Sequence, residues 1–162
     1  MIFTTRPVRT LAMAVKVVAA YAQRWKVERY HYVLKSGCGV EDLQLESADR
    51  IERALAIYNV VAWRLLYMTY VARIEPDLPC TAVLEEEEWR MLYVVGKKKP
   101  PPETPPTVRE AVRMIARLGG FQGRKGDGEP GVKAIWSGFR RLMDFVYALQ
   151  VLRLSPGLVG NG

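Results

Sequence analysis

The stretch YAQRWKVERYHYVLK carries a tyrosine, an arginine, a glutamate and a lysine at helical offsets: Tyr21, Arg24, Glu28 and Lys35. At about 100° of rotation per residue, all four fall within roughly 60° on a helix surface. Ala14 and Val17 lie on or beside the same sector, so one face passes from apolar to charged. A carboxylate and two cations aligned toward an interior must be paired or used, because burying charge is otherwise costly. Two readings stand open on spacing alone. Arg24 and Glu28 form an i,i+4 ion pair on a solvated face, worth a few tenths of a kcal/mol, or the cluster acts on a ligand. His31, the single histidine, reads as satisfied or exposed rather than as a catalytic base. The acidic run at residues 85–88 reads as a solvated first turn with no catalytic role. Cys38 and Cys80 have no metal-ligand spacing and read as free thiols in a reducing cytoplasm.

The elements that position this cluster are almost all helical. Residues 2–5 are β-branched or aromatic and read as the end of a strand, closed by Pro7. Thr10 can cap a helix from Leu11, and no glycine or proline follows until Gly37. Ser47 caps a second helix over 47–73, with an apolar stripe through Ile51, Leu55, Tyr58, Ala62 and Leu65. A third helix is expected over 84–95 with Gly96 as its stop. KKKPPPETPP at 97–106 is an extended connector. Thr107 caps a helix to Leu118, ended by Gly119 and Gly120, and a glycine-rich loop at 123–131 precedes a last helix over 132–152. A lone strand has no partner for its backbone groups, so the chain reads as if its beginning were missing.

The chain has 162 residues, 49% hydrophobic and 25% charged, which suits an ordinary globular protein. Its net charge of +7 favours a polyanionic partner, nucleic acid before a membrane surface. No targeting signal is visible. The apolar run 54–72 is interrupted by Asn59 and Arg64 and reads as a buried helix rather than a membrane span. The expected location is cytoplasmic, with no membrane partner.

The spacing Tyr-x2-Arg-x3-Glu-x6-Lys, in the context YAQRWKVERYHYVLKSG, resembles the signature around the last catalytic glutamate of transposon-five-like DDE transposases, in the insertion-sequence-four family. The resemblance continues in register through 49–66 (with ERALAIYNVVAWRLL at 52–66), 115–121 (IARLGGF) and 136–138, nearly the whole chain. It implies a mainly α chain: the last helices of an RNase H-like transposase core over 1–75, with one orphan strand fragment, then a helical dimerisation domain over 76–162 containing the connector 97–106. It implies Glu28 as a catalytic, metal-binding carboxylate, with Mg²⁺ or Mn²⁺ as the two-metal cofactor of the complete enzyme. It implies Tyr21, Arg24 and Lys35 as holders of transposon-end phosphates, a role that suits an arginine fork, a lysine point charge and a tyrosine hydroxyl. Tyr32 stands where the family's pattern has a further lysine, so the resemblance implies a phosphate contact there that is either weakened or replaced by stacking.

Both catalytic aspartates of the family precede the glutamate, whereas the first aspartate here is Asp42. Glu28 alone cannot organise two metals, so no stable metal binding and no catalysis by this chain alone are expected. The functions left are DNA-phosphate binding and dimerisation. The dimerisation seam is expected at Trp136, Phe139, Met143 and Val146, which share one face of the last helix. The same residues could instead pack on Val112, Ile115 and Leu118 within the chain. As a seam, Phe139→Asp is expected to abolish association and leave monomer helicity nearly intact. The alternative reading is a stand-alone helical interaction protein that inhibits a full-length transposase by forming mixed dimers.

Overall fold

Three threonine or serine hydroxyls start three of the helices. The computed structural model describes residues 3–154. In it, α1 spans Leu11–Ala22, with the Thr10 hydroxyl accepting from the Met13 amide at 3.2 Å. α3 spans Ala48–Ile74 with Ser47 as its cap, and α5 spans Val108–Leu118 under a reciprocal Thr107–Glu110 capping box. Between them lie α2, Arg24–Tyr32, and α4, Glu86–Lys97; α6, Val132–Leu154, ends the described chain. There is no strand among the described residues.

The core gathers α3 to α6. α5 packs most extensively on α6, and α4 packs on both. Leu65 and Met68 of α3, Trp89 and Leu92 of α4, Ile115 of α5 and Leu142 of α6 are all fully buried. Two glycines let α5 and α6 touch backbone to backbone. A Cβ on Gly138 would lie 1.7 Å from the Ile115 carbonyl oxygen, and one on Gly119 would lie 1.9 Å from that of Ala134. The motifs IARLGGF and Trp136-Ser137-Gly138 therefore meet at one crossing. The chain segments flanking α4 are tied together as well. The Cys80 amide donates to the Pro106 carbonyl and the Val108 amide to the Leu78 carbonyl, each at 2.8 Å.

Several expectations are corrected. Residues 3–5 form no strand, and Phe3 is exposed; Ile2 lies outside the described residues. The single long helix expected over 11–37 is interrupted at Gln23, and its last turn, Val33–Gly37, is a π-helix. α4 runs through Gly96 and stops at Lys98, whose left-handed conformation (φ 54°) takes the terminating role assigned to Gly96. The acidic run is not a solvated face throughout. Glu88 is 7% exposed, accepts from Arg64 at 2.5 Å, and also closes the capping box on the Glu85 amide. Glu87 takes Gln150 and Arg153 of α6, so two of the four carboxylates hold α4 to other helices.

α3 is 27 residues long and contains an 18-residue stretch with a mean hydropathy of 1.2, enough by length and composition alone to cross a membrane. One of its faces instead supplies Ala62, Leu65, Met68, Val71 and Ala72 to the core, and Arg64 is held by Glu88. Only 17% of that stretch is buried, so the expectation of a buried helix holds for one face and not for the other.

Cys38 and Cys80 are buried and unbridged, and burial pushes both thiols from an ordinary 9.0 up to about 11. A folded-state pKa above the unfolded one leaves stability intact below pH 9.0 and removes it as pH rises toward about 11. Native thiols should therefore react slowly with a disulfide reagent at mildly alkaline pH and rapidly in denaturant. Urea midpoints should fall across that alkaline window and less so in the Cys38→Ala, Cys80→Ala double variant. Fast native labelling at mildly alkaline pH would contradict the burial.

Candidate nucleic-acid interface

None of the residues of α1 or α2 is buried, although α1 (LAMAVKVVAAYA) is apolar around most of its circumference. Leu11 is 82% exposed and Ala14 and Val17 only half-buried. The charged sector of the opening stretch therefore faces solvent, and the expectation that it points inward is not met.

Three of the four expected residues form one cluster. The Arg24 guanidinium donates to Glu28 at 2.7 Å and lies over the Tyr21 ring at 5.8 Å from its centroid. Both charged side chains of that pair are more than half exposed, so the pair contributes about 0.3–0.5 kcal/mol. Its accessible cation and tyrosine hydroxyl can turn to an incoming anion at little cost. Lys35 does not join them. It lies in the π-helical turn and pairs with Glu41 at 2.7 Å. A π turn advances less per residue than an α turn, so everything beyond Tyr32 loses its angular register with Glu28. Tyr32 lies beneath the Arg29 guanidinium at 5.5 Å, a contact within the chain.

Among the described residues, no group of three or more His, Cys, Asp or Glu side chains stands together. The carboxylate nearest in kind to a metal ligand, Glu28, has an arginine for its neighbour. One carboxylate does not make a two-metal site, so the described residues do not by themselves fit a pair of ions.

The expected dimerisation residues divide. Phe139 and Val146 are buried in the chain's own core, with the Arg64 guanidinium over the Phe139 ring at 4.7 Å. Trp136 and Met143 are half-buried, Trp136 edge-on to Tyr58. On the same helix, Tyr147 is 68% exposed and falls one helical step beyond Met143. At about 100° per residue, Trp136, Met143 and Tyr147 centre roughly 40° round α6 from the expected set. A second feature is legible in the sequence only in hindsight: Val60, Trp63, Tyr67, Tyr70 and Ile74 alternate at three and four residues along α3, and all five are exposed. The lysines at 97–99 are exposed as expected of a connector, beside a cleft of about 330 Å³ lined by Tyr93, Lys97, Arg113 and Arg117.

Fold and site together define a basic helical protein with an exposed charged helix, α2, and a tightly packed helical unit, α4 to α6. Residues 60–155 match the Transposase Tn5 dimerisation domain, and residues 3–64 match the Transposase DDE domain. The chain belongs to the Tn5 dimerisation-domain family of transposases, joined here to a DDE segment. The two matches overlap within α3, an unbroken helix, so a continuous element links the two units. DDE transposases use divalent metal in the full enzyme and bind DNA, and a dimerisation domain supports self-association.

Proposed function

We propose that this chain binds DNA through the phosphate backbone and self-associates through α6, acting in the cytoplasm, and that it does not cut DNA by itself. The observation that carries the reading is the conjunction of a dimerisation-domain match over α4 to α6 with a lone carboxylate on an exposed cationic helix. Residues 1–75 belong on this reading to an RNase H-like core and 76–162 to the dimerisation unit. Glu28 is the metal-binding carboxylate of an assembled core, and Tyr21, Arg24 and Lys35 are transposon-end phosphate contacts. The α6 seam runs through Trp136, Met143 and Tyr147, with Phe139 and Val146 beneath it holding the helix in place. A copy paired with a full-length transposase would give a mixed dimer lacking one working site, and so inhibit transposition.

Fluorescence anisotropy with a labelled duplex tests the DNA half. Lysine and arginine contacts to phosphates act by counterion release, so affinity should fall steeply with salt, by about tenfold or more for a severalfold rise in concentration. Arg24→Ala and Lys35→Ala should each weaken binding and flatten the salt slope by about one unit. With Mg²⁺ or Mn²⁺ present, no nicking is expected. Salt-independent affinity would overturn the phosphate assignment, and metal-dependent nicking lost in Glu28→Ala would overturn the inactivity.

A further inference from the structure

We propose that the groove between α2 and α3 binds single-stranded nucleic acid, stacking unpaired bases on its aromatic rings and holding the phosphates with its cations. This deepens the DNA-binding reading and rests on it. The groove has a volume of about 490 Å³. Trp25 enters it from α2, and Trp63, Tyr67 and Tyr70 from α3. These rings are substantially open to solvent, Trp25 at 62% and Trp63 at 57%. Trp63 and Tyr67 lie with centroids 5.4 Å apart and planes tilted by 51°, so they offer separate faces rather than one closed stack.

Charge selects the occupant. Lys26, Arg29 and Arg73 line the same groove, and no carboxylate does. The Arg29 guanidinium already lies over the Trp25 ring at 5.6 Å, which sets a cation beside a stacking surface before any ligand arrives. Rows of exposed rings interleaved with cations are the pattern that single strands use, because every base has a π-face and every linkage a charge. A duplex keeps those faces within its own stack, so a concave aromatic groove gains little from it. A second copy of the chain is disfavoured by the same cations, which a two-fold axis would bring against themselves. The groove also adjoins the phosphate-facing cluster. Trp25 and Arg29 sit about a quarter-turn round α2 from Arg24 and Glu28, so a strand gripped at Arg24 can lay its unpaired bases toward Trp25.

The test uses the whole chain, a labelled oligothymidine and a duplex of equal length. Oligothymidine should bind and quench tryptophan emission. Trp63→Ala and Tyr70→Ala should each lower its affinity about tenfold while leaving duplex affinity unchanged, and Trp63→Phe should retain most of the binding. Both side chains are exposed, and unchanged circular dichroism would show that the variants fold. Unchanged oligothymidine affinity in Trp63→Ala overturns the inference. So does loss of self-association in that variant, which would mean that a second copy covers the groove. Binding to phosphatidylserine vesicles that needs Trp63, without oligothymidine binding, overturns it in favour of a lipid surface. Duplex binding that responds to Arg24→Ala alongside an indifferent single strand sinks the groove alone; absence of binding to either sinks the wider DNA reading with it.

Discussion

Phe139→Asp should unfold the helical unit rather than cleanly separate the subunits of a dimer. Phe139 is 5% exposed, packs among the buried residues of α3 to α6, and carries the Arg64 guanidinium on its ring. Removing an aromatic from such a site costs about 3–5 kcal/mol, and placing a carboxylate there adds a desolvation penalty. Arg64 gives that carboxylate a nearby cation, but Arg64 is already committed to Glu88 at 2.5 Å. The loss is a large share of the roughly 5–15 kcal/mol that holds a domain together. Thermal melts followed by circular dichroism should show a transition lowered by tens of degrees or lost. A variant with near-native melting that is monomeric would restore Phe139 to the seam itself, as its position on the helix suggests.

Gly138→Ala is expected to be nearly as damaging, against its own helix propensity. Alanine inside α6 gains about 1 kcal/mol over glycine from propensity alone. The added Cβ would lie 1.7 Å from the Ile115 carbonyl oxygen and 2.7 Å from its carbon, both backbone atoms that cannot rotate away. α5 and α6 would have to separate, loosening Ile115, Ile135 and Leu142 together. Overpacking of this kind costs about 1–3 kcal/mol and more where backbone must move, so the loss wins. Urea midpoints should fall, and Gly119→Ala should reproduce the effect from the facing helix. An unchanged or raised midpoint for Gly138→Ala would mean that the helices do not cross this closely.

Local chemistry is legible where a single residue decides the outcome. The hydroxyls of Thr10, Ser47 and Thr107 start helices as their types and positions imply, because a cap is satisfied within three residues of itself. What the sequence hides depends on neighbours far along the chain. Gly96 has the type of a helix stop, yet the prolines from residue 100 onward and Lys98 end that helix. The run at 85–88 looks solvated because nothing in its spacing announces Arg64, 24 residues earlier, as the partner of Glu88. Periodicity along α6 marks an apolar stripe but not which portion of it α5 covers, so Phe139 and Tyr147 look alike until the helices are packed. At the candidate site, the alignment of Tyr21, Arg24 and Glu28 is readable, while the departure of Lys35 follows from a π turn that no residue type specifies.

Self-association through α6 is the central claim, and one pair of sedimentation-equilibrium runs tests it most directly. Tyr147 is 68% exposed, so Tyr147→Asp leaves the core intact, unlike Phe139→Asp, and alters only what α6 presents outward. The wild type should sediment as a dimer at micromolar concentration. Tyr147→Asp should sediment as a monomer with an unchanged melting transition, its dimer weakened by about 2 kcal/mol or more, as for a central aromatic in an interface. A wild type that stays monomeric at the highest soluble concentration, or a Tyr147→Asp variant that dimerises as well as wild type, would contradict the α6 seam.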